Sequence, residues 1–210
     1  MTFFTEETLT FWRGLAADNS KAYFDAHRKD YERHLKEPYQ ALAAALVAGV
    51  RADEPEYLDD PKKATYRINR DIRFSKDKSP YKTELGITVG RAAKHDWTYP
   101  AYTCRVGVGG LWVAGGLYAP EPELRDRVRR YVGEHSTELR KLMKRKAFRE
   151  TYGELQGDAH KRAPADLKDL AEQEPLVRNK QWVFWTDFEE PELLLDPELD
   201  EFILDQWAAA

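Results

Sequence analysis

The spacing of apolar residues along the chain changes from a helical period to strict alternation and then back. The segment from Thr5 to Ala17 has apolar side chains at helical spacing behind Thr5, a residue type that caps helix N-termini. A longer helical pattern, capped by Asn19 or Ser20, runs to about Gly49. Pro38 lies inside this pattern, so we expect the helix to kink or to restart there.

Alternation of apolar with small or polar residues then predicts a sheet. Three segments show this alternation, residues 85–89, 102–108 and 111–117, and the aromatic and β-branched composition of residues 181–188 predicts a fourth strand. Gly109-Gly110 suits a tight turn between the second and third segments. Helical spacing returns in residues 119–135, 136–144 and 197–207. This order predicts an α+β fold, an antiparallel β-sheet with a central hairpin, packed against N-terminal and later helices.

Composition narrows the class of protein. With 210 residues the chain is long enough for one sizeable core, and we predict a single domain over residues 1–210. Its 42% apolar and 12% aromatic content argues against disorder. Cys104 is the only cysteine, and the first residues show no signal-peptide pattern. We therefore predict a cytoplasmic protein without membrane contact, and the sequence predicts no particular oligomeric state.

Charge is unevenly distributed along the chain, although the net charge is only −4. The segment from Lys62 to Lys82 has eight basic and two acidic residues, and the segment from Arg125 to Arg149 has ten and three. The segment from Thr186 to Asp205 has nine acidic residues and no basic one. This asymmetry predicts either pairing between a basic and the acidic block or a polar partner surface.

The first basic block contains the motif RINRDIRFSKDKSPYKT, residues 67–83. If residues 66–74 form a strand, Arg70 falls on its apolar face. A buried cation must be paired, because burying it alone is costly. We expect its partner to be a protein carboxylate, such as Asp25, Glu32 or one of the C-terminal acids. The alternative partner is a ligand carboxylate or phosphate.

The same motif carries a family resemblance. It is similar to the signature of the domain of unknown function 2461 family, which is found in bacteria and fungi. The resemblance extends to three further segments: TLTFWRGLAADNSKAYFDAHRKDYE, GGLYAPEPELRDRVR and FRETYGELQGDAHKRAP. It therefore covers nearly the whole chain, although Tyr66 stands where a phenylalanine or a similar residue is expected and the C-terminal end matches poorly. The resemblance implies no activity and no catalytic residue, since the family has no assigned function.

The motif is the best candidate site, and three hypotheses remain open for it. The first is binding of an anionic small molecule that carries a phosphate or carboxylate, with or without catalysis. The candidate ligand-binding residues are Arg67, Arg70, Asp71, Arg73, Lys78, Tyr81 and Lys82. The second is a protein-interaction or structural module in which the motif is an internal ion-pair brace, with Asp71 orienting a neighbouring arginine. The third, nucleic-acid binding, is disfavoured by the acidic pI of about 5.8 and by the lack of a recognition motif.

Other residues give weaker signals. Ser75 and Lys78 have the Ser-x-x-Lys spacing of serine acyl-enzymes, but Ser79-Pro80 opposes the helix that would place them on one face. Cys104 is expected to be a small buried residue. Trp182, Trp185 and their neighbours are expected in the sheet core, or at an interface if they are exposed. No pattern predicts a metal or a cofactor.

For a catalytic version of the first hypothesis, an acid or base is needed near the cations. Tyr66, Tyr81, Asp71 and His27 are the suitable residue types.

Overall fold

The N-terminal helices begin where the capping residues predict. The computed structural model of the chain describes residues 2–58, 60–73, 76–91 and 98–210. Helix α1 spans Glu6–Ala17 and follows Thr5, whose backbone is extended. Helix α2 spans Lys21–Ala26, and the Ser20 side chain accepts a hydrogen bond from a backbone N–H of its first turn. The Ser20 cap is confirmed, because its oxygen satisfies an N–H group that has no partner inside the helix. At α1 the backbone N–H of Thr5 donates to the Thr8 hydroxyl.

A π-helix separates α2 from the long helix of the core. Helix α3 spans Arg28–Asp30, the π-helix spans Tyr31–Lys36, and helix α4 spans Glu37–Asp53. Pro38 lies in the first turn of α4, but the backbone of Lys36 and Glu37 stays right-handed helical, so the π-helix runs into α4 without a restart. In the wide turn, the carbonyl oxygen of His34 accepts a hydrogen bond from the buried hydroxyl of Thr8.

The sheet is antiparallel and follows chain order, β1-β2-β3-β4. The strands are β1 Glu84–Gly90, β2 Ala101–Gly107, β3 Gly110–Leu117 and β4 Trp182–Phe188. The predicted central hairpin is confirmed, but Gly107 pairs with Gly110, so the turn residues are Val108 and Gly109. The turn thus lies one residue earlier than predicted. Gly110 has φ +105°, a conformation that favours glycine.

The remaining helices flank the sheet. They are α5 Pro61–Ala64, α6 Pro122–Glu134, α7 Ser136–Met143, α8 Lys146–Thr151, α9 Lys168–Gln173 and α10 Leu199–Ala208. Short 3-10 turns span Ala165–Leu167, Pro175–Arg178 and Pro191–Leu195. Within the described ranges, no helix has both the length and the apolar character needed to cross a bilayer.

One face of the sheet forms the main core. Its buried side chains are Leu85, Ile87, Val89, Cys104, Val106, Leu111 and Val113. They belong to one apolar cluster with buried residues of α1, α4 and α10. The alternation seen in the sequence thus places one side of each strand against helices, which confirms the α+β fold.

The second basic block pairs with neighbouring elements instead of the acidic C-terminal segment. The ion pairs in its described residues join Arg129 to Asp126, Arg130 to Asp166, Arg140 to Glu174 and Lys146 to Glu150. Helix α6 packs against α9 and the turn Pro175–Arg178, so carboxylates from that region reach the arginines. Pairing with residues 186–205, one of the two alternatives drawn from the charge pattern, is therefore wrong for these three arginines.

Candidate ligand site on the open face of the sheet

The basic motif folds back on itself. Residues 68–70 and 80–82 run antiparallel, and the backbone N–H groups of Arg70 and Lys82 each donate across the loop at 2.9 Å. The pairing stays an isolated bridge and forms no strand in the described part. The strand expected over residues 66–74 is therefore wrong there.

Hydrogen bonds between Asp71 and Arg73 turn the backbone away from the extended conformation. Asp71 Oδ1 accepts the backbone N–H of Arg73 at 3.2 Å, which is the hydrogen bond of an Asx turn. The two carboxylate oxygens also accept from Nε and Nη2 of Arg73, at 2.9 and 2.7 Å. These hydrogen bonds hold the pKa of Asp71 well below its ordinary value. Asp71 thus orients Arg73, as the sequence predicts.

Arg70 has its carboxylate partner inside the motif. Its Nη2 lies 3.0 Å from Asp77 Oδ2 and donates to the carbonyl oxygen of Tyr81 at 3.3 Å. The expectation of Asp25, Glu32 or a C-terminal acid as partner is wrong. The physical reason is the folded-back loop, which brings Asp77 to Arg70, while Asp25 is bound by two cations of its own helical segment.

The other motif residues point in different directions. Tyr81 is buried and stacks on Phe24, with ring centroids 4.1 Å apart. Lys78 Nζ donates to a backbone carbonyl within the loop at 2.8 Å. Arg67 is exposed. Of the seven candidate residues, Lys82 is the one that lines the cavity on the neighbouring sheet, as far as the described ranges extend.

That cavity lies on the face of the sheet opposite the main core and has a volume of about 540 Å³. We call it the sheet-face groove. Small side chains form its floor: Gly86, Thr88, Ala101, Thr103, Ala114 and Gly116. Aromatic side chains form its walls: Tyr66, Trp112, Tyr118 and Trp185. The strand register explains the shape, since outward positions on all four strands line up in rows across the sheet.

Tyr66 forms the wall at the β1 edge, and Tyr39 fixes its position. The backbone N–H of Tyr66 donates to the Tyr39 hydroxyl at 2.9 Å, and that hydroxyl donates to the carbonyl oxygen of Gly86. Burial raises the pKa of Tyr39 well above its ordinary value, so the hydroxyl keeps its proton. The Tyr66 ring lies over Gly86, where an added Cβ would approach ring atom Cδ2 to 3.3 Å. Lys82 Nζ lies 5.4 Å from the centroid of the same ring.

A second cation reaches the groove from β2. The Arg105 guanidinium lies 4.1 Å from the centroid of the Trp112 ring. Its Nη1 lies 3.5 Å from Glu84 Oε1, and both side chains are about half exposed, so water weakens this pair. The described lining therefore holds two cations, Lys82 and Arg105, against one carboxylate.

The strands were predicted, but the groove was not. Outward positions of a half-buried sheet usually carry polar side chains that cover the surface. Here the outward positions of the first three strands hold mostly glycine, alanine and threonine, and this run of small residues is the signal that could have indicated a depression. Trp182 is buried at 6% exposure, as expected for sheet core, whereas Trp185 is 36% exposed and lines the groove.

Other chemical candidates contribute less. Cys104 is fully buried, as predicted, and burial raises the pKa of its thiol to about 12. His27 Nδ1 lies 2.9 Å from the carbonyl oxygen of Tyr23. Ser75 and Phe74 lie outside the described residues. The described ranges contain no group of three or more side chains placed to hold a metal ion.

Together these features define an α+β protein with a helix-covered core on one face of its sheet and an aromatic-walled groove on the other. The model of the family described as "Conserved hypothetical protein (DUF2461)" matches residues 7–210. The chain therefore belongs to this family, and the resemblance carried by the basic motif is confirmed. Comparison with curated proteins gives no match.

Proposed function

We propose that the chain binds an anionic small molecule in the sheet-face groove. The observation that carries the proposal is the groove itself, a concave site of about 540 Å³ with aromatic walls. Sites for small molecules in proteins commonly have volumes of about 300–1,000 Å³ and combine apolar walls with a few polar groups. Flat aromatic side chains around a floor of small residues favour a flat ring in the ligand, which can stack on them.

Charge favours a carboxylate or phosphate on that ring. Lys82 and Arg105 lie at the groove with Glu84 as the one acidic lining residue in the described part. Because the Arg105–Glu84 pair is weak, the Arg105 guanidinium can bind a ligand anion instead. The charge-assisted hydrogen bond to that anion strengthens when the ligand excludes water. The basic motif thus contributes to the proposed site through Lys82.

The other motif residues support a second role, an internal brace. Arg70 meets Asp77, and Asp71 meets Arg73, so two of the arginines already have protein carboxylates. In this proposal the brace holds the loop that presents Lys82 to the groove. Direct ligand contact by Arg67, Arg70, Asp71, Arg73, Lys78 and Tyr81 stays a prediction.

The test uses 8-anilinonaphthalene-1-sulfonate, a flat-ring anion whose fluorescence rises in apolar sites. We expect saturable binding to the folded protein and a loss of at least about tenfold in affinity in Lys82→Gln, because one charge-assisted contact is removed. Lys63→Gln is the matched control, since Lys63 belongs to the same basic block, is exposed and does not line the groove. Absence of saturable binding, or equal losses in both variants, would overturn the proposal.

The brace is tested by Arg70→Met. We expect the free energy of unfolding to fall by about 1 kcal/mol, the usual net contribution of such a polar contact. Probe affinity should fall less than in Lys82→Gln, because the loop that presents Lys82 is loosened while its charge remains. A fully stable variant that loses probe affinity would instead place Arg70 in the binding site.

A further inference from the structure

Three hydroxyl groups form a connected chain at the groove. Thr88 on β1 and Thr103 on β2 face each other in the sheet register, and their Oγ1 atoms lie 3.0 Å apart. The Tyr66 hydroxyl lies 3.5 Å from Thr88 Oγ1. Thr103 Oγ1 also lies 3.0 Å from the carbonyl oxygen of Ile87. All three hydroxyl side chains line the groove.

The chain of hydrogen bonds runs in one direction only. A hydroxyl has a single proton to donate, whereas a backbone carbonyl can only accept. Thr103 must therefore give its proton to Ile87, because otherwise two oxygens would face each other without a proton between them. The proton between the threonines then comes from Thr88. At the longer Tyr66–Thr88 contact only Tyr66 can donate, because the Thr88 proton is already used.

This direction determines what the floor offers to a ligand. Each threonine oxygen has two acceptor lone pairs, and one of them is used by the preceding hydroxyl in the chain. The remaining lone pair can accept a hydrogen bond, while neither threonine has a proton left to donate. Thr88 is only 4% exposed, so Thr103, which is half-buried on the floor, is the oxygen that a ligand can reach.

We infer that the groove selects a flat heterocycle that carries both an acidic substituent and a ring N–H, with the N–H donating to Thr103 Oγ1. This inference rests on the proposed function and specifies the ligand class. A ligand with a bare acceptor at this position would face the lone pair of Thr103. Such a mismatch is strongly selective, because a buried polar group without a partner loses the hydrogen bond that it makes with water.

Two probes of nearly identical shape test the inference. Indole-3-acetate has a ring N–H, and benzofuran-3-acetate has an oxygen at the same position, while both carry the same carboxylate. By calorimetry, we expect the indole acid to bind the wild-type chain at least about tenfold more tightly, as expected for one selective hydrogen bond. Thr103→Val should bring the two affinities within about twofold, and Thr103→Ser, which restores the hydroxyl, should retain the preference.

The outcomes separate this inference from the proposed function. If both acids bind the wild-type chain equally well, or if the preference survives in folded Thr103→Val, the N–H inference is overturned and the binding site stands. If neither acid binds, the proposed function itself fails for flat-ring anions, and the inference fails with it. Thermal melting shows whether each variant is folded. If Thr103→Val is unfolded, the ratio of the two acids' affinities for the wild-type chain decides whether the N–H inference holds.

Discussion

Glu174 allows the clearest prediction about stability. Its side chain is 2% exposed, and its carboxylate accepts hydrogen bonds from Nε and Nη2 of Arg140 at 2.7 and 2.6 Å. One further hydrogen bond comes from the backbone N–H of Leu176 at 3.0 Å. Replacement of Arg140 by leucine would leave a buried carboxylate with this single donor.

The size of the effect follows from burial. Removal of one partner from a buried ion pair costs about 3–5 kcal/mol, because the other charge stays in the interior unpaired. The Arg140 side chain is 45% exposed, so water can reach one side of the vacated site and offset part of this cost. We therefore expect Arg140→Leu to lower the free energy of unfolding by about 2–3 kcal/mol.

Urea unfolding followed by far-UV circular dichroism measures this loss. Lys141→Leu, an exposed change on the same helix, is the control and should stay within about 0.5 kcal/mol of wild type. Adding Glu174→Leu to Arg140→Leu should recover part of the loss, because the unpaired charge is removed as well. A loss in Arg140→Leu no larger than in the lysine control would refute the reasoning.

Three further predictions concern the groove and the basic motif. Tyr39→Phe should lower the free energy of unfolding by about 1 kcal/mol, since the Tyr66 N–H loses its hydroxyl partner and keeps the longer bond to the carbonyl oxygen of Gly86 at 3.3 Å; an unchanged urea midpoint would contradict this. Asp71 should titrate below its ordinary range in a carboxyl NMR experiment and return toward that range in Arg73→Ala. A carboxyl group whose pKa is lower in the folded state stabilises the protein at pH values above its unfolded pKa of about 4. This stabilisation is lost as the pH falls through the folded pKa, so the Asp71–Arg73 contact should weaken only in acid. Gly116→Ala should cost more than about 2 kcal/mol by thermal or urea unfolding, since Gly116 has φ +109° and a Cβ would collide with a β4 carbonyl; near-native stability would count against the backbone assignment there.

Local features of the fold could be predicted because they depend on neighbouring residues. Helix α1 begins directly after Thr5, and Ser20 caps α2 through an oxygen next to the first turn. The alternation of apolar residues predicts the strands and the central hairpin. The single-domain organisation and the cytoplasmic location stay predictions, because neither the fold nor the family match tests them.

The partners of charged residues could not be predicted in the same way. The sequence predicts a strand over residues 66–74, and a strand would leave Arg70 to pair with a distant carboxylate. An Asx turn at Asp71 instead folds the motif back and supplies Asp77. Similarly, Arg140 meets Glu174 because two elements pack together, and no spacing in the sequence encodes that distance.

By itself, the sequence determined the fold class, the helix caps, the hairpin and the family. The first three follow from the local pattern of apolar, capping and turn residues, and the family follows from the motif of residues 67–83 and three further segments. The tertiary structure decided the groove. Small outward residues become a floor only when the strand register places Thr88, Thr103 and Ala114 in one row. Tyr66 becomes a wall because hydrogen bonds to Tyr39 and Gly86 hold it over β1. These contacts join residues far apart in the chain. Their geometry therefore arises from packing and hydrogen bonding between different helices and strands, and the residue order within a single helix or strand does not determine it.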